Sequence, residues 1–248
     1  MKFSSHILKW YHKEHRNLPW RVSKDPYNIW LSEIILQQTR VSQGLGYYIK
    51  FNTTFPTIKD LAIAHEQQVL KLWQGLGYYS RARNLHATAK HIHFNLKGLF
   101  PDNYKGLLKL KGVGPYTASA ISSICFNEKR AAVDGNVYRV LARVFSIKTP
   151  INSSQGIKEF QQLADSLISK RDPGDYNQGL MELGATVCTP KKVDCIKCPI
   201  NSLCIAKSQN TIYQFPVKEK KIKIKERNLN YFCIEHRSVF LMNKRVGK

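Results

Sequence analysis

Four cysteines fall within seventeen residues, Cys188, Cys195, Cys198 and Cys204, spaced C-x6-C-x2-C-x5-C in a segment rich in lysine and proline. Thiols that close either hold a metal or pair with one another. The opening segment MKFSSHILKWYHKEHRN carries charges where a secretory signal needs an apolar run, so pairing is disfavoured and a metal centre is expected. Four-cysteine zinc sites usually contain two C-x2-C pairs, and only Cys195 and Cys198 form one here. Iron–sulfur clusters also take four cysteines, with ferredoxin spacings unlike this one. The spacing leaves both metals open, with a structural role in either case. Cys125, in ASAISSICF, and Cys233, in YFCIEH, read as reduced thiols outside the pattern.

Two carboxylates have the surroundings that acid–base work requires. Glu33 lies in NIWLSEIILQQT, where Ile29, Trp30, Ile34 and Leu36 predict partial burial and a raised pKa, which would let it donate a proton near neutral pH. Asp134, in AAVDGNVYRVLAR, precedes an amphipathic helix whose N-terminal N–H groups and dipole should keep it ionised, able to stabilise a developing cation. The plainer alternatives are a solvated helix residue at Glu33 and a simple N-cap at Asp134. In LLKLKGVGPYTASAI, residues 107–121, a helix should end at Gly112-Val113-Gly114 and another begin near Pro115. The two glycines would leave backbone N–H groups open to an anion such as a DNA phosphate, and a turn that binds nothing is the competing reading.

The elements that must position these groups are helices. Apolar residues recur at three and four in HILKWYHKEH, IWLSEIILQQTRV, IKDLAIAHEQQVLKLW, ARNLHATAKHIHF, TASAISSICF, VYRVLARVF and IKEFQQLADSLISK, and nothing before residue 205 alternates like a strand. QGLGYY occurs at 43–48 and 74–79 in unrelated flanks, so it is no solenoid repeat. The 248 residues are 43% hydrophobic, enough to bury a core. Against that ordinary content, 39 Lys+Arg and 17 Asp+Glu give a net charge of +22, which points to a polyanionic partner, nucleic acid first. No apolar run approaches the roughly 18 residues a membrane span needs. Residues 208–228 are polar and basic and read as a connector. Residues 229–248 read as the first hairpin of a further domain, so the chain is expected to be a truncated form of a longer protein.

Taken in order, LPWR (18–21), WLSEIILQQTRV (30–41), LWQGLGYYSRARNL (72–85), LKGVGPYTASAI (110–121), VDGNVYRVLARV (133–144), NQGLMELGATVC (177–188) and the four cysteines resemble the MutY family of adenine DNA glycosylases, within the endonuclease III superfamily of helix-hairpin-helix repair enzymes. The resemblance spans Trp10 to Cys204. It implies a mainly α, endonuclease III-like helix-hairpin-helix glycosylase region over residues 1–207. A [4Fe-4S] loop at 188–204 would close that region, and a β-containing, NUDIX-like domain would begin after the connector. It also implies the cluster as the metal held by Cys188, Cys195, Cys198 and Cys204.

The implied reaction is hydrolysis of the N-glycosidic bond of adenine mispaired with 8-oxoguanine or guanine in duplex DNA. By that resemblance Glu33 protonates adenine N7 and helps to activate water, and Asp134 stabilises the oxocarbenium-like sugar, electrostatically or through a transient covalent bond. Tyr116 and Asn136 match positions that support the carboxylates. Arg21 and Gln178 match positions lining the adenine pocket. Leu36, Gln38 and Thr39 match the stretch that meets 8-oxoguanine or fills the gap left by the flipped base. Tyr78 matches an aromatic wedge, with core packing beside Leu76 and Tyr79 as the alternative. Gly112, Gly114, Lys191 and Lys192 are expected to meet phosphate. Bifunctional lyases of the superfamily carry a lysine where Tyr116 stands, so a monofunctional enzyme is expected. A lyase acting on oxidised pyrimidines and a non-catalytic iron–sulfur DNA-binding module are the alternatives. The resemblance further implies a monomer acting on DNA in a bacterial cytoplasm, associated with the nucleoid.

Overall fold

The computed structural model describes residues 2–219, 228 and 233–242. The first of its helices, α1 (Lys2–Glu14), is followed by α2 (Pro26–Leu36), α3 (Val41–Thr54), α4 (Ile58–Ile63), α5 (Glu66–Trp73) and α6 (Ser80–Lys90). After these come α7 (Tyr104–Leu107), α8 (Pro115–Phe126), α9 (Gly135–Val144), α10 (Ser154–Leu167), α11 (Pro173–Thr186) and the short α12 (Ile205–Ser208). Local chemistry starts several of them. Asp25 caps α2 by accepting from the Tyr27 and Asn28 N–H groups, with Pro26 at the first helical position. Thr57 and Asp60 close a capping box on α4.

The periodicity ran through three interruptions that the fold makes. The segment read as one helix from Ile29 to Val41 stops at Leu36 and restarts at Val41, leaving Gln37–Arg40 as a loop with Gln38 at φ 57°. The segment from Ile58 to Trp73 breaks at Ala64-His65, where the His65 ring accepts from the Gln67 N–H and starts a new helix. The third, ending at Phe94, leaves α6 for a π-helical turn at His91–Asn95.

Among the described residues the apolar faces assemble into two cores. One joins α2 to α8, around Trp30, Tyr48, Phe51 and Trp73. The other joins α1 with α9 to α12, around Ile7, Val140, Leu141, Phe160 and Leu183. α8 and α11 meet across the boundary, where Gly174 comes so close to α8 that a Cβ on it would lie 2.7 Å from Ile124 Cα. Buried Asn177 ties the halves polarly: its amide donates to Ser123 Oγ and Arg130 O at 2.8 Å each and accepts from the Ala132 N–H at 3.1 Å.

The start of the basic connector is fastened to this second half, with the Ile151 N–H donating to Val217 O at 3.0 Å and Phe215 buried. Residues 220–227, 229–232 and 243–248 of the expected connector and C-terminal domain lie outside the described residues. Between them, β1 (Glu235–His236) and β2 (Val239–Phe240) pair antiparallel across Arg237 and Ser238, both at positive φ, at the His-Arg-Ser turn expected there.

Candidate active site

The two cores part along a cleft of about 580 Å³, and residues from both line it. From α2 come Ile29, Ser32, Glu33 and Leu36, at the spacing that gathers side chains on one helix face. From α11 come Gln178, Met181 and Glu182, spaced likewise. Tyr116 enters from the first turn of α8, and Asp134 and Asn136 from the start of α9. Arg21, Gln38 and Thr39 complete the expected residues that the fold brings to this cleft.

Burial pushes the Glu33 carboxyl up to about 7, opposed by a hydrogen bond with Tyr116 and assisted by the negative charge of Asp134. Tyr116 is itself raised well above the ordinary phenol value, by burial first and then by the two carboxylates. Its hydroxyl also lies 3.0 Å from Met181 Sδ, a weak acceptor, so the carboxylate is its stronger partner.

Asp134 sits at the N-cap of α9. Its Oδ1 accepts from the Asn136 and Val137 N–H groups at 2.9 and 2.8 Å, and its Oδ2 from the Asn136 side-chain amide at 2.7 Å. Burial raises its pKa, and these N–H donors together with Arg139 work against that. The expectation from the helix terminus left burial out of account. The donor set still suits the anion, because both oxygens accept and a carboxylic O–H would face N–H groups.

Behind Asn136 the polar chain continues through Arg139, whose Nη2 donates to Asn136 Oδ1 and Gly184 O at 2.7 Å each. Its Nε donates to Cys188 O at 2.7 Å. Buried Arg143 follows, donating from Nη1 to Cys188 Sγ at 3.3 Å and to Thr189 O at 2.8 Å. Cys188, Cys195, Cys198 and Cys204, all free thiols, line a second, small cavity whose remaining wall is mostly apolar, including Val140, Leu183 and Ile200. No three His, Cys, Asp or Glu side chains among the described residues are grouped tightly enough for a single metal ion. A four-iron cluster binds one thiolate at each iron and so accepts thiols set farther apart than the four ligands of one zinc ion. The donor set, four free thiols facing one cavity, suits such a group in its chemistry.

Position and spacing in the chain gave no hint of Arg16 or Glu182. Buried Glu182 accepts from Arg16 N, Nε and Nη2 at 3.1, 2.6 and 2.7 Å and from Arg21 Nη2 at 2.8 Å. Burial alone would raise its carboxyl, and the bonds from the two guanidinium groups bring it down to about 2. Arg21 is thereby held against the cleft wall, its guanidinium 5.5 Å from the Tyr11 ring centre.

The other expected residues lie outside the cleft. Gly112 turns the chain at φ 80°, with a Cβ there 2.9 Å from Asn84 Cβ, while Gly114 faces open space at the N-cap of α8. Thr88 Oγ1 donates to Lys111 O at 2.8 Å and pins this hairpin to α6. Lys191 and Lys192 are exposed on the loop that a bridge between Cys188 and Val193 closes. Tyr78 is 68% exposed at φ 46°, which sets aside core packing. No described helix is long and apolar enough to cross a membrane.

The family described as HhH-GPD superfamily base excision DNA repair protein matches residues 31–165. The adenine DNA glycosylase of Buchnera aphidicola subsp. Acyrthosiphon pisum is 37% identical over 243 residues, covering 98% of this chain and 69% of the relative. That of Homo sapiens is 43% identical over 216 residues, covering 84% of this chain and 40% of the relative, so the chain spans well under half of the human protein. Among solved structures, a thermostable thymine-DNA glycosylase superposes with a TM-score of 0.75 at 32% identity, over 84% of this chain and 96% of that one. Endonuclease III in a non-covalent DNA complex gives 0.69 at 20% identity, over 84% of this chain and 94% of that one, a likeness of fold alone.

Proposed function

The chain belongs to the HhH-GPD superfamily of base excision DNA repair proteins and, within it, to the adenine DNA glycosylases, and from that premise we propose that it hydrolyses the N-glycosidic bond of adenine mispaired with 8-oxoguanine or guanine in duplex DNA. The observation that carries the reading is one cleft walled by Glu33 and Asp134, the first titrating near 7 and the second surrounded by N–H donors.

In this reading the protonated Glu33 carboxyl donates its proton to N7 of the extruded adenine. The C1′–N9 bond breaks with its electron pair leaving on the base. The Asp134 carboxylate offsets the positive charge left on the sugar ring. Water then adds to C1′ and gives a proton to the Glu33 carboxylate, which restores the acid and leaves an abasic site. Arg21 and Gln178 line the pocket for the base, and Leu36, Gln38, Thr39 and Tyr78 meet the opposite strand and the gap. Gly112, Gly114, Lys191 and Lys192 hold phosphate. Tyr116 has no amine, so no Schiff base forms there and the enzyme leaves the strand uncut.

Cys188, Cys195, Cys198 and Cys204 would hold a [4Fe-4S] cluster that supplies structural rigidity to the basic loop carrying Lys191 and Lys192. Support comes from the shared cavity and from the neighbouring Arg143 and Lys207, cations suited to thiolate ligands. Residues 229–248 would open a β-containing, NUDIX-like domain after the connector, and the enzyme would act on DNA as a monomer.

A single-turnover assay on adenine:8-oxoguanine and adenine:guanine duplexes tests the assignment, with Glu33→Gln and Asp134→Asn alongside the wild type. Adenine release by the wild type, lost in both variants, is the expected result. An inactive wild type, or variants that match it, would end the assignment. Zinc in place of iron in anaerobic preparations would overturn the cluster and leave the carboxylates standing.

A further inference from the structure

Arg81 binds two loops that lie far apart in sequence. Its Nη1 donates to Ile34 O at 3.1 Å, Ile35 O at 3.3 Å and Gln37 O at 2.5 Å, the carbonyls left open where α2 ends. Its Nη2 donates to Leu76 O at 3.1 Å and Gly77 O at 3.4 Å, in the turn after α5. The guanidinium lies 5.0 Å from the Trp73 ring centre and 5.8 Å from that of Tyr78, while Trp73 Nε1 also donates to Gly77 O at 2.9 Å.

The carbonyls it chooses are informative. Gln37 immediately precedes Gln38 and Gly77 immediately precedes Tyr78, and both following residues are exposed, non-glycine and left-handed, with φ of 57° and 46°. Each such conformation is costly on its own and persists only where its surroundings enforce it. One rigid fork of donors therefore fixes the two peptide units that lead into two exposed side chains. A lysine has the charge without the fork.

We propose that Arg81 is a positioning residue that locks Gln38 and Tyr78 at a fixed separation, so that the two side chains enter the DNA stack as a pair and together drive extrusion of the target nucleotide. The inference rests on the glycosylase reading above and adds to it the step Arg81 governs, which is base extrusion and not bond cleavage. Neither loop needs to move on its own. A paired insertion recovers stacking on both sides of the gap at once, which a single mobile side chain cannot do.

The test uses the full chain and a duplex with 2-aminopurine at the target position, whose fluorescence on binding reports extrusion without requiring catalysis. Arg81→Lys is expected to slow the fluorescence rise about tenfold, the scale of one lost charge-assisted hydrogen bond. Excision of adenine from a single-stranded oligonucleotide, where little extrusion is needed, should change less than about twofold, with the pH profile unmoved. Equal losses on both substrates, or an unchanged fluorescence rise, would overturn the proposal. Should Arg81→Lys not fold, Gln38→Ala, Tyr78→Ala and the double variant serve in the wild-type background. Effects on extrusion smaller together than their product support the pairing, and independent effects overturn it. A wild type that extrudes the base yet releases no adenine would remove the glycosylase reading while leaving the pairing intact.

Discussion

Asn136 donates to Asp134 twice, from its backbone N–H at 2.9 Å and from its side-chain amide at 2.7 Å. The amide oxygen accepts from Arg139, so the orientation of the side chain is set on both sides, by an acceptor and by a donor. Asn136→Ala removes one of the three N–H donors to Asp134 and leaves Arg139 short of a partner. Single-turnover adenine release should fall roughly tenfold to a hundredfold, the range for a lost hydrogen bond to a charged group, with DNA affinity little changed. An unaltered rate would show that Asp134 does not depend on this support.

In the proposed mechanism Glu33 is the acid, and it then sets the alkaline limb of the reaction. With its carboxyl at about 7, the proton it must donate is progressively lost above that pH, and adenine release under single-turnover conditions should decline there. The same shift fixes a sign for stability. The folded value lies above the ordinary 4.5, so the contribution from Glu33 is complete below about 4.5 and disappears as pH rises through about 7. Glu33→Gln carries no such cost. Its melting temperature should gain on the wild type between pH 5 and pH 9, with a free-energy gap of at most roughly 3 kcal/mol. A gap that is the same at both ends of that range would contradict the burial of this acid.

Glu182 acts in the opposite direction. Held at about 2 by Arg16 and Arg21, it contributes stability that is present above about 4.5 and lost only as pH falls toward about 2. Glu182→Ala should cost up to about 3–5 kcal/mol in denaturant unfolding near neutral pH, because it leaves the partly buried Arg21 and Arg16 without their carboxylate partner. Binding to an adenine-containing duplex should weaken as Arg21 loses its support. A loss below about 1 kcal/mol would place the two arginines in solvent.

Lys191 and Lys192 stand exposed on the loop beside the thiol cavity. Replacing both with alanine should lower the slope of log affinity against log salt by about 2, equally for mispaired and ordinary duplexes. A change in preference between the two duplexes with no change in slope would mean that these lysines read the lesion instead of the backbone.

The helices, the raised pKa of Glu33 and the N-cap position of Asp134 were legible in the sequence because all are local. Apolar spacing is enough to draw α8, α9 and α10, and an apolar neighbourhood is enough to raise Glu33. The end of α2 was hidden, since Leu36 and Val41 continue the helical pattern and the contact that holds the loop comes from Arg81, more than forty residues along. Arg139 and Arg143 carry charge, which amphipathic reasoning assigns to the solvent face, yet their bonds to carbonyl oxygens allow both to be buried. The Arg16–Glu182 pair spans 166 residues and leaves no trace in spacing.

Glu33 stands on a helix of one hydrophobic core and Asp134 opens a helix of the other, with Gly174 and Asn177 stitching the seam. In the proposed mechanism the chemistry therefore depends on alignment between two bodies, each of which can remain fully helical while their registry is lost. A slip of an ångström along that seam would silence the enzyme and leave its circular dichroism untouched, which makes turnover a finer thermometer of this molecule than any measure of its helices.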